Sequence, residues 1–351
     1  RWREMDNTQT QKVERNLIGL SPVDYKGKPS TLCPGCGHNT IANQIQAALY
    51  ELGVVPEMVA KFSGIGCSSK SPNYFLDRSF GFNGVHGRMP TLATGACFAD
   101  RRIKLIGISG DGDSASIGMG HFKHVIRRNI PMLYIIENNG VYGLTKGQFS
   151  ATSDLGLELR HQGKNYLPPL DLCLEALISG AKFVARAFAG DVKQMRELFK
   201  AAFIHDGIAV IDVISPCVTF NNQDNALQSY TWGREHESPI QDITFIPKAQ
   251  EIIVEDFEEG TYREIKLHDG STLLLKKIDK DYDPTSKTAA LDLLTESYEK
   301  RYLTTGLFYI EKAEQSIFDI FDIGKEPLNR LPAERIRPDQ AALERINAAL
   351  E

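Results

Sequence analysis

Two polar turns carry the side chains best suited to chemistry, and each turn follows an apolar run. Asp111 lies in the turn GDGD after residues 103–109, and Asn139 follows residues 132–136. Carboxylate and amide oxygens are hard ligands that suit Mg²⁺, whose other positions usually go to water and phosphate oxygens. Glycines let the backbone approach a diphosphate closely, and the free amides of a helix that starts near Asp113 would face it. The pattern predicts a site for Mg²⁺ and a diphosphate.

The elements around these turns predict how they are brought together. Residues 103–109 and 132–136 have the length and composition of buried strands, and residues 114–128 have helical spacing. Strand, turn, helix and strand form a βαβ unit, in which both strands end at the same edge of a parallel sheet. GDG, 25 further residues (113–137) and NN resemble the thiamine diphosphate motif. The alternative is an ordinary βαβ unit with a tight turn. A dinucleotide site would need GxGxxG, which GDGDSA does not supply.

Length and composition limit the class of protein. A chain of 351 residues forms one large or two ordinary domains, and 42% hydrophobic residues suffice for a core. The balance of 40 basic and 45 acidic residues argues against nucleic acid as a main partner. No apolar run approaches the roughly 18–20 residues of a membrane span, and the first residues lack the apolar segment of a secretory signal. Six cysteines do not make a disulfide framework in a chain of this length, so a cytoplasmic location is expected.

Strand-like and helical segments alternate up to about residue 220. The five strand-like runs cover residues 58–62, 103–109, 132–136, 181–188 and 208–214. This alternation predicts an α/β fold with a doubly wound, mostly parallel sheet. Residues 145–169 form a loop with little periodicity, which is long enough to suggest a function.

The C-terminal third has a different pattern. Residues 249–278 contain three strand-like segments with Glu-Gly and Asp-Gly turns, which predict a β-meander. Residues 286–302 have the spacing of an amphipathic helix, and a helical tail rich in proline and charge follows. We expect three regions: a flexible segment 1–24, a cofactor-binding domain 25–245, and a C-terminal extension 246–351 for subunit contacts.

Four of the six cysteines lie in loops rich in glycine and proline. Cys33 and Cys36 form a CxxC pair, whereas Cys67 and Cys217 each follow a predicted strand and so fall on the same sheet edge as the two polar turns. Four thiolates suit a [4Fe-4S] cluster or a tetrahedral Zn²⁺, and a CxxC pair alone would also suit a thioredoxin-like redox site. The remaining cysteines lie among apolar residues and are expected to be buried thiols without a role: Cys97 and Cys173.

Several motifs in this order resemble those of the β subunits of 2-oxoacid:ferredoxin oxidoreductases. The motifs are CPGCGH, GIGCSS, HGR, GDGD followed by ENN, YGLTKGQ and SPC. The resemblance covers residues 25–225, and the C-terminal extension is similar, less specifically, to that of the 2-oxoglutarate branch. It implies a sheet of the thiamine diphosphate-binding type that carries thiamine diphosphate, Mg²⁺ and a [4Fe-4S] cluster.

The resemblance also implies site residues in this chain. Mg²⁺ would be bound by the side chains of Asp111 and Asn139 and by the carbonyl of Val141. The thiamine diphosphate site would be lined by Ile65, Gly66, Cys67, Ser68, Gly84, Val85, His86, Gly87, Gly112, Asp113, Gly143 and Leu144. The [4Fe-4S] cluster would be bound by Cys33, Cys36, Cys67 and Cys217. His86 is expected either to contact the cofactor or substrate or to be a structural histidine.

The implied reaction is the oxidative decarboxylation of 2-oxoglutarate to succinyl-CoA and CO₂, with electrons passed through the cluster to ferredoxin. The direction of the reaction is left open. Lys146 in YGLTKGQ is predicted to bind the distal carboxylate of 2-oxoglutarate, which pyruvate lacks. The alternative is a solvated loop lysine. In this family the carboxylate that faces the aminopyrimidine comes from another subunit or domain. We therefore expect an α, or fused α/γ, partner in an (αβ)₂ assembly, with no nucleic acid and no membrane partner.

Three other functions stay open at this point. The same chemistry could act on pyruvate or on a broad range of 2-oxoacids. A non-oxidative thiamine diphosphate decarboxylase or synthase would share the two polar turns, but it would not need four clustered cysteines. A non-catalytic electron-transfer subunit would share the cysteines, but it would not need an intact GDGD and NN pair.

Overall fold

The computed structural model describes residues 14–222, 226–246, 262–266, 272–277, 279, 282–312 and 315–350. Its strands are β1 (Val59–Ser63), β2 (Phe80–Asn83), β3 (Lys104–Gly110), β4 (Met132–Asn138), β5 (Val141–Tyr142), β6 (Gln148–Phe149), β7 (Glu158–Leu159), β8 (Gly163–Lys164), β9 (Phe183–Phe188), β10 (Ile208–Ile214), β11 (Glu237–Pro239), β12 (Gln241–Ile246), β13 (Tyr262–Lys266), β14 (Thr272–Lys277) and β15 (Leu303–Ile310).

The α-helices of the described ranges are α1 (Gly37–Glu51), α2 (Met89–Ala99), α3 (Met119–Arg127), α4 (Leu172–Ile178), α5 (Val192–Ile204), α6 (Tyr230–His236), α7 (Lys287–Lys300), α8 (Ile317–Ile320), α9 (Ala333–Ile336) and α10 (Gln340–Ala348). A π-helical turn covers Gly112–Ile117, and short 3₁₀ segments cover Pro22–Tyr25, Pro56–Met58, Ser68–Tyr74 and Leu328–Arg330. None of the described helices is both long and apolar enough to cross a bilayer.

A mixed sheet organises the described part of the chain, with strand order β11-β15-β9-β10-β4-β3-β1-β2. The run from β9 to β2 is parallel throughout, and β15 is antiparallel to β9. The predicted α/β fold with a mostly parallel, doubly wound sheet is confirmed. All five predicted strand runs are strands, here β1, β3, β4, β9 and β10.

Helices cover both faces of this sheet because alternate strand residues point to opposite layers. Ile106 and Ile108 of β3 belong to the core shared with α1 and α5. Leu105, from the same strand, belongs to the core shared with α2 and α3. The central strands β4, β9 and β10 are buried along their whole length and are mostly apolar. Arg186 of β9 and Asp212 of β10 are buried exceptions that form an ion pair at 3.1 Å.

The C-terminal region contributes to the same sheet. The predicted helix at 286–302 is α7, and it is followed by β15, a strand that the sequence pattern did not predict. Strands β12, β14 and β13 form a separate antiparallel sheet in that order. The last two belong to the predicted meander, while residues 249–261 of that prediction lie outside the described residues. The proposed boundary at residues 245 and 246 stays a prediction.

The strand order locates a natural binding crevice. β2 and β3 lie on opposite sides of β1, so the chain segments that leave β1 and β3 diverge at their carboxyl ends. Ligands of doubly wound sheets bind at such a switch point. The loops that carry GIGCSS and GDGD leave β1 and β3 here, and the NN loop leaves the adjacent β4.

Candidate functional site

Asp111 and Asn139 are neighbours at the carboxyl ends of β3 and β4. Asp111 is 1% exposed, and its Oδ1 accepts a hydrogen bond from the backbone amide of Asn139 at 3.3 Å. Its Oδ2 accepts one from the hydroxyl of Thr152 at 2.7 Å. The Oδ1 of Asn139 accepts one from the amide of Val141 at 3.1 Å. The three residues predicted to bind Mg²⁺ therefore lie together on two adjacent buried turns, and burial raises the pKa of Asp111.

Asp113 ties this turn to the predicted HGR loop. Its Oδ1 accepts from the amide of Gly87 at 2.7 Å, and its Oδ2 accepts from the hydroxyl of Ser109 at 2.8 Å. Gly64 must be glycine because a Cβ there would lie 1.8 Å from Asp113 Oδ2. Both carboxylate oxygens of Asp113 are thus used inside the protein. Asp113 organises the walls of the site.

The helix after GDGD differs from the prediction for residues 114–128. The chain first makes the π-helical turn Gly112–Ile117, and α3 begins only at Met119. The amide of Gly118 donates to the carbonyl of Asp113 at 2.8 Å, which is the wider spacing of a π-turn. Such turns often occur at functional sites. A Cβ on Gly112 would lie 2.5 Å from the Tyr142 ring, and the Tyr142 hydroxyl donates to the Gly112 carbonyl at 2.9 Å.

A small cleft lies over these turns. Of the residues predicted for the cofactor, the Mg²⁺ and the substrate, all line the cleft except Gly84, Val85, Gly87 and Lys146. Lys146 is exposed at the rim, where its backbone has φ +73° and its neighbours Leu144 and Thr145 line the cleft. His86 lines the cleft and is exposed.

Two buried titratable residues that the sequence pattern left without a role also line the cleft: His38 and Glu137. Oε2 of Glu137 accepts from the Ser71 hydroxyl at 2.9 Å, whereas its Oε1 has no partner among the described residues. Nδ1 of His38 lies 2.7 Å from the Ser215 hydroxyl. Burial raises the pKa of Glu137 well above its usual range and lowers that of His38 to about 4. Nε2 of His38 lies 3.7 Å from Oε2 of Glu137, and burial disfavours the charged form of both groups.

The four loop cysteines gather beside the same cleft. Cys36 caps α1, Cys67 follows β1 and Cys217 follows β10. A Cβ on Gly143 would lie 3.5 Å from the sulfur of Cys67 and 3.7 Å from that of Cys217, so the missing side chain leaves room beside both. Cys33 is exposed, and the Thr219 hydroxyl is 3.9 Å from its sulfur.

The thiols influence one another electrostatically. Burial above all, and the neighbouring Glu137, Cys217 and Cys67, raise the pKa of Cys36 to about 12. The pKa of Cys67 is raised by burial and by the charges of Cys217 and Cys33. A positively charged group would hold such thiols as thiolates, so four soft donors in glycine loops suit a bound cluster. Within the described ranges, no set of three or more His, Cys, Asp or Glu side chains is already arranged as a closed metal site.

The two remaining cysteines are buried, as predicted: Cys97 and Cys173. The Sγ of Cys173 donates to the carbonyl of Ala185 at 3.4 Å. Three residues at the site were not predicted, and the sequence gives only weak indications of them. His38 and Glu137 lie inside the quoted motifs CPGCGH and ENN, and Thr152 lies in the long loop 145–169 whose length suggested a function.

Comparisons with known proteins agree with this geometry. Residues 60–213 match the family model of the thiamine pyrophosphate enzyme C-terminal TPP binding domain. The 2-oxoacid:ferredoxin oxidoreductase subunit beta of Saccharolobus solfataricus is 44% identical over 191 residues, which are 54% of this chain and 63% of that protein. The 2-oxoglutarate synthase subunit KorB of Methanocaldococcus jannaschii is 36% identical over 198 residues, which are 56% of this chain and 73% of that protein.

One solved structure is similar over nearly the whole chain. It is a chain of the 2-oxoglutarate:ferredoxin oxidoreductase from Magnetococcus marinus with 2-oxoglutarate, coenzyme A and succinyl-CoA bound. The similarity has a TM-score of 0.71 at 31% identity and covers 97% of each chain. The region matched to the Saccharolobus relative spans 63% of that protein's length.

Proposed function

The chain belongs to the family of 2-oxoacid:ferredoxin oxidoreductase β subunits, and from that premise we propose that it acts on 2-oxoglutarate. With a partner subunit it oxidatively decarboxylates 2-oxoglutarate to succinyl-CoA and CO₂, and it passes the electrons to ferredoxin. The observation that carries this proposal is the meeting, at one edge of the sheet, of the Asp111 and Asn139 turn with four cysteine thiols. A thiamine enzyme without electron transfer has no use for the thiols.

The residues of this chain have separate tasks in the proposal. Asp111, Asn139 and the Val141 carbonyl would hold Mg²⁺, and the amides of the π-helical turn after Gly112 would face the diphosphate. Cys33, Cys36, Cys67 and Cys217 would hold a [4Fe-4S] cluster. Thiamine diphosphate supplies the electron sink for decarboxylation when bound. The unpartnered Oε1 of Glu137, at the cleft wall, fits a site built to receive a polar ligand.

Substrate choice is assigned to Lys146. Its side chain is exposed on the loop beside the cleft. A lysine at that rim could pair with the distal carboxylate of 2-oxoglutarate. The matched control is Lys164, an exposed lysine farther along the same loop region. We expect Lys146→Ala to raise the KM for 2-oxoglutarate at least tenfold more than the KM for pyruvate, and Lys164→Ala to change neither. Equal effects of Lys146→Ala on both substrates would remove this assignment.

The proposed partner is an α, or fused α/γ, subunit in an (αβ)₂ assembly. The comparisons support a β-subunit role, and the exposed apolar side chains beside the cleft, Phe80, Phe82 and Val85, suit a contact there. Activity from the isolated chain would contradict the need for a partner.

The test is anaerobic purification with the partner subunit, followed by iron, sulfide and thiamine analysis and by viologen reduction with 2-oxoglutarate or pyruvate. We expect about four irons and one thiamine diphosphate for each β chain, with 2-oxoglutarate preferred. Thiamine diphosphate without iron would instead indicate a non-oxidative decarboxylase or synthase. Iron without thiamine diphosphate would indicate an electron-transfer subunit, and a pyruvate preference would keep the family and overturn the substrate.

A further inference from the structure

Thr152 connects the predicted Mg²⁺ ligand to a buried polar chain. It lies in the loop 145–169 and is 3% exposed. Its hydroxyl is 2.7 Å from Asp111 Oδ2 and 3.0 Å from the Oδ1 of Asn138. Asn138 in turn donates through Nδ2 to Oδ1 of Asp212 at 3.0 Å, and Nε of Arg186 donates to Oδ2 of Asp212 at 3.1 Å.

The donors and acceptors of this hydrogen-bonded series can be assigned. Arg186 can only donate, so Asp212 accepts from it and is left as an acceptor for Asn138. Asn138 must therefore turn its NH₂ group toward Asp212, and its Oδ1 is left facing Thr152 and the amide of Gly140, at 3.0 and 3.3 Å. The Thr152 hydroxyl thus faces two acceptors with one hydrogen, and it also lies 3.1 Å from the Ser150 hydroxyl, which can donate to it. The hydrogen goes to Asp111, because a charged acceptor makes the stronger bond.

The backbone around Thr152 holds this hydroxyl in place. Nε2 of Gln228 donates to the Thr152 carbonyl at 3.3 Å. The amide of Ser150 donates to the Ser153 hydroxyl at 2.8 Å, and that hydroxyl donates to the carbonyl of Gly140. The segment 150–153 is therefore fastened to the turn that carries the predicted metal ligands. A carboxylate that is hydrogen-bonded at one oxygen cannot rotate freely.

We propose that Thr152 is a positioning residue for Asp111. By holding Oδ2, it fixes the plane of the carboxylate and leaves Oδ1 presented beside Asn139. The inference rests on the proposed function, since it assumes that Asp111 binds Mg²⁺. Hydrogen bonds to metal ligands of this kind typically contribute 10- to 100-fold to metal affinity.

The test uses Mn²⁺ as a spectroscopic substitute for Mg²⁺. The full chain is purified anaerobically with its partner subunit, and free Mn²⁺ is measured by electron paramagnetic resonance in the presence of thiamine diphosphate. Thr152→Val removes the hydroxyl at nearly constant volume, and Thr152→Ser keeps it. Thr295→Val, on the exposed face of α7, removes a hydroxyl that donates to the Leu291 carbonyl of its own helix. We expect Thr152→Val to weaken Mn²⁺ binding about tenfold or more, Thr152→Ser by less than about threefold, and the control not at all.

The outcomes separate the possible failures. If Thr152→Val binds Mn²⁺ as tightly as the wild type, the inference is overturned. Thr152 would then have at most a structural role, whether or not the metal-free variant melts at a lower temperature. Equal losses in the Val and Ser variants would overturn it as well, because the hydroxyl would not matter. If Thr152→Val does not fold, Thr152→Ala against Thr152→Ser makes the same comparison. A wild-type protein that shows no Mn²⁺ binding dependent on thiamine diphosphate would refute the proposed function itself.

Discussion

Lys61 ties the loop that carries part of the predicted cofactor site to the sheet. It lies in β1, is 5% exposed, and donates through Nζ to the carbonyls of Pro72, Phe75 and Leu76 at 2.7, 2.6 and 2.9 Å. The three N–H groups of an ammonium thus meet three carbonyls at the end of the 3₁₀ segment Ser68–Tyr74. Leu76 has φ +45°, a backbone conformation that is unfavourable for a bulky residue. The hydrogen bond from Lys61 to its carbonyl helps to hold the loop in this conformation.

We expect Lys61→Met to lower the free energy of unfolding by about 3 kcal/mol. The carbonyls of Pro72 and Phe75 would lose this donor at a cost of about 1–3 kcal/mol each, whereas that of Leu76 keeps the amide and hydroxyl of Ser79. Removing the buried ammonium offsets part of this loss. The matched control is Lys104→Met on the adjacent strand β3, where the lysine is exposed and the effect should stay within about 0.5 kcal/mol.

Thermal melting of the holo-complex measures the loss. At about 2 °C for each kcal/mol in a chain of this size, Lys61→Met should melt about 6 °C lower. Hydrogen exchange should show the amides of residues 68–76 losing protection first. A melting temperature within about 1 °C of the Lys104→Met control would refute the anchoring role.

The same residue predicts a pH dependence. Burial lowers the pKa of Lys61 from 10.5 to about 8. Between these values the unfolded chain binds more protons than the folded one, so stability rises as the pH rises from about 8 to about 10.5. The upper limit is about 3 kcal/mol, at about 1.4 kcal/mol for each pH unit. Thermal melting against pH should show this rise in the wild type and not in Lys61→Met. Parallel curves for the two proteins would contradict the shift.

Three further substitutions test other parts of the molecule. Burial, together with the charge of Asp191, raises the pKa of Glu237 to about 7. The folded state therefore binds more protons than the unfolded state between about pH 4.5 and 7, so stability falls as the pH rises through that range. Thermal melting of Glu237→Gln should not show this fall. Gly112→Ala would place a Cβ 2.5 Å from the Tyr142 ring, so we expect a loss of about 1–3 kcal/mol in a melting assay and weaker retention of thiamine on gel filtration. Gly143→Ala would place a Cβ 3.5 Å from the sulfur of Cys67, where a bound cluster would need room, so the iron content after anaerobic purification should fall.

Local apolar pattern predicted most of the buried strands, but it missed the exposed edge strand β2 and also β15, which is buried along its whole length. β4 and β10 are buried throughout and mostly apolar, although Asp212 interrupts β10. β2 has all four residues exposed, and nothing in FGFN separates it from a loop. β15 follows α7 within three residues and contains Gly306 at φ +122°, which a sequence pattern reads as a break. Whether a strand lies at the edge of a sheet, and whether a glycine is accommodated inside a strand, depend on the assembled sheet. A short stretch of sequence therefore does not predict them.

The predicted site shows the same division. Asp111 and Asn139 could be placed together because the ends of adjacent parallel strands share one edge, a rule of topology that needs no side-chain detail. Lys146 could be placed near them only as part of a motif, and the direction of its side chain depends on the φ of +73° that the loop adopts. The meeting of Cys33 and Cys36 with Cys67 and Cys217 followed from motif resemblance, since the spacing of the cysteines along the chain does not fix it.

The segment SATSD at 150–154 was the hardest to predict, because its composition is that of an exposed turn. Ser150, Thr152, Ser153 and Asp154 are nevertheless at most 9% exposed. Each hydroxyl has a specific acceptor or donor beside the turn that carries Asp111, so the polar groups are satisfied without water. An apolar loop at the same place would remove the donors to Oδ2 of Asp111 and to the carbonyl of Gly140. In most loops polar residues predict exposure, but here the polar side chains can be buried because they form hydrogen bonds with the site. A sequence pattern cannot separate these two cases until the site has been located.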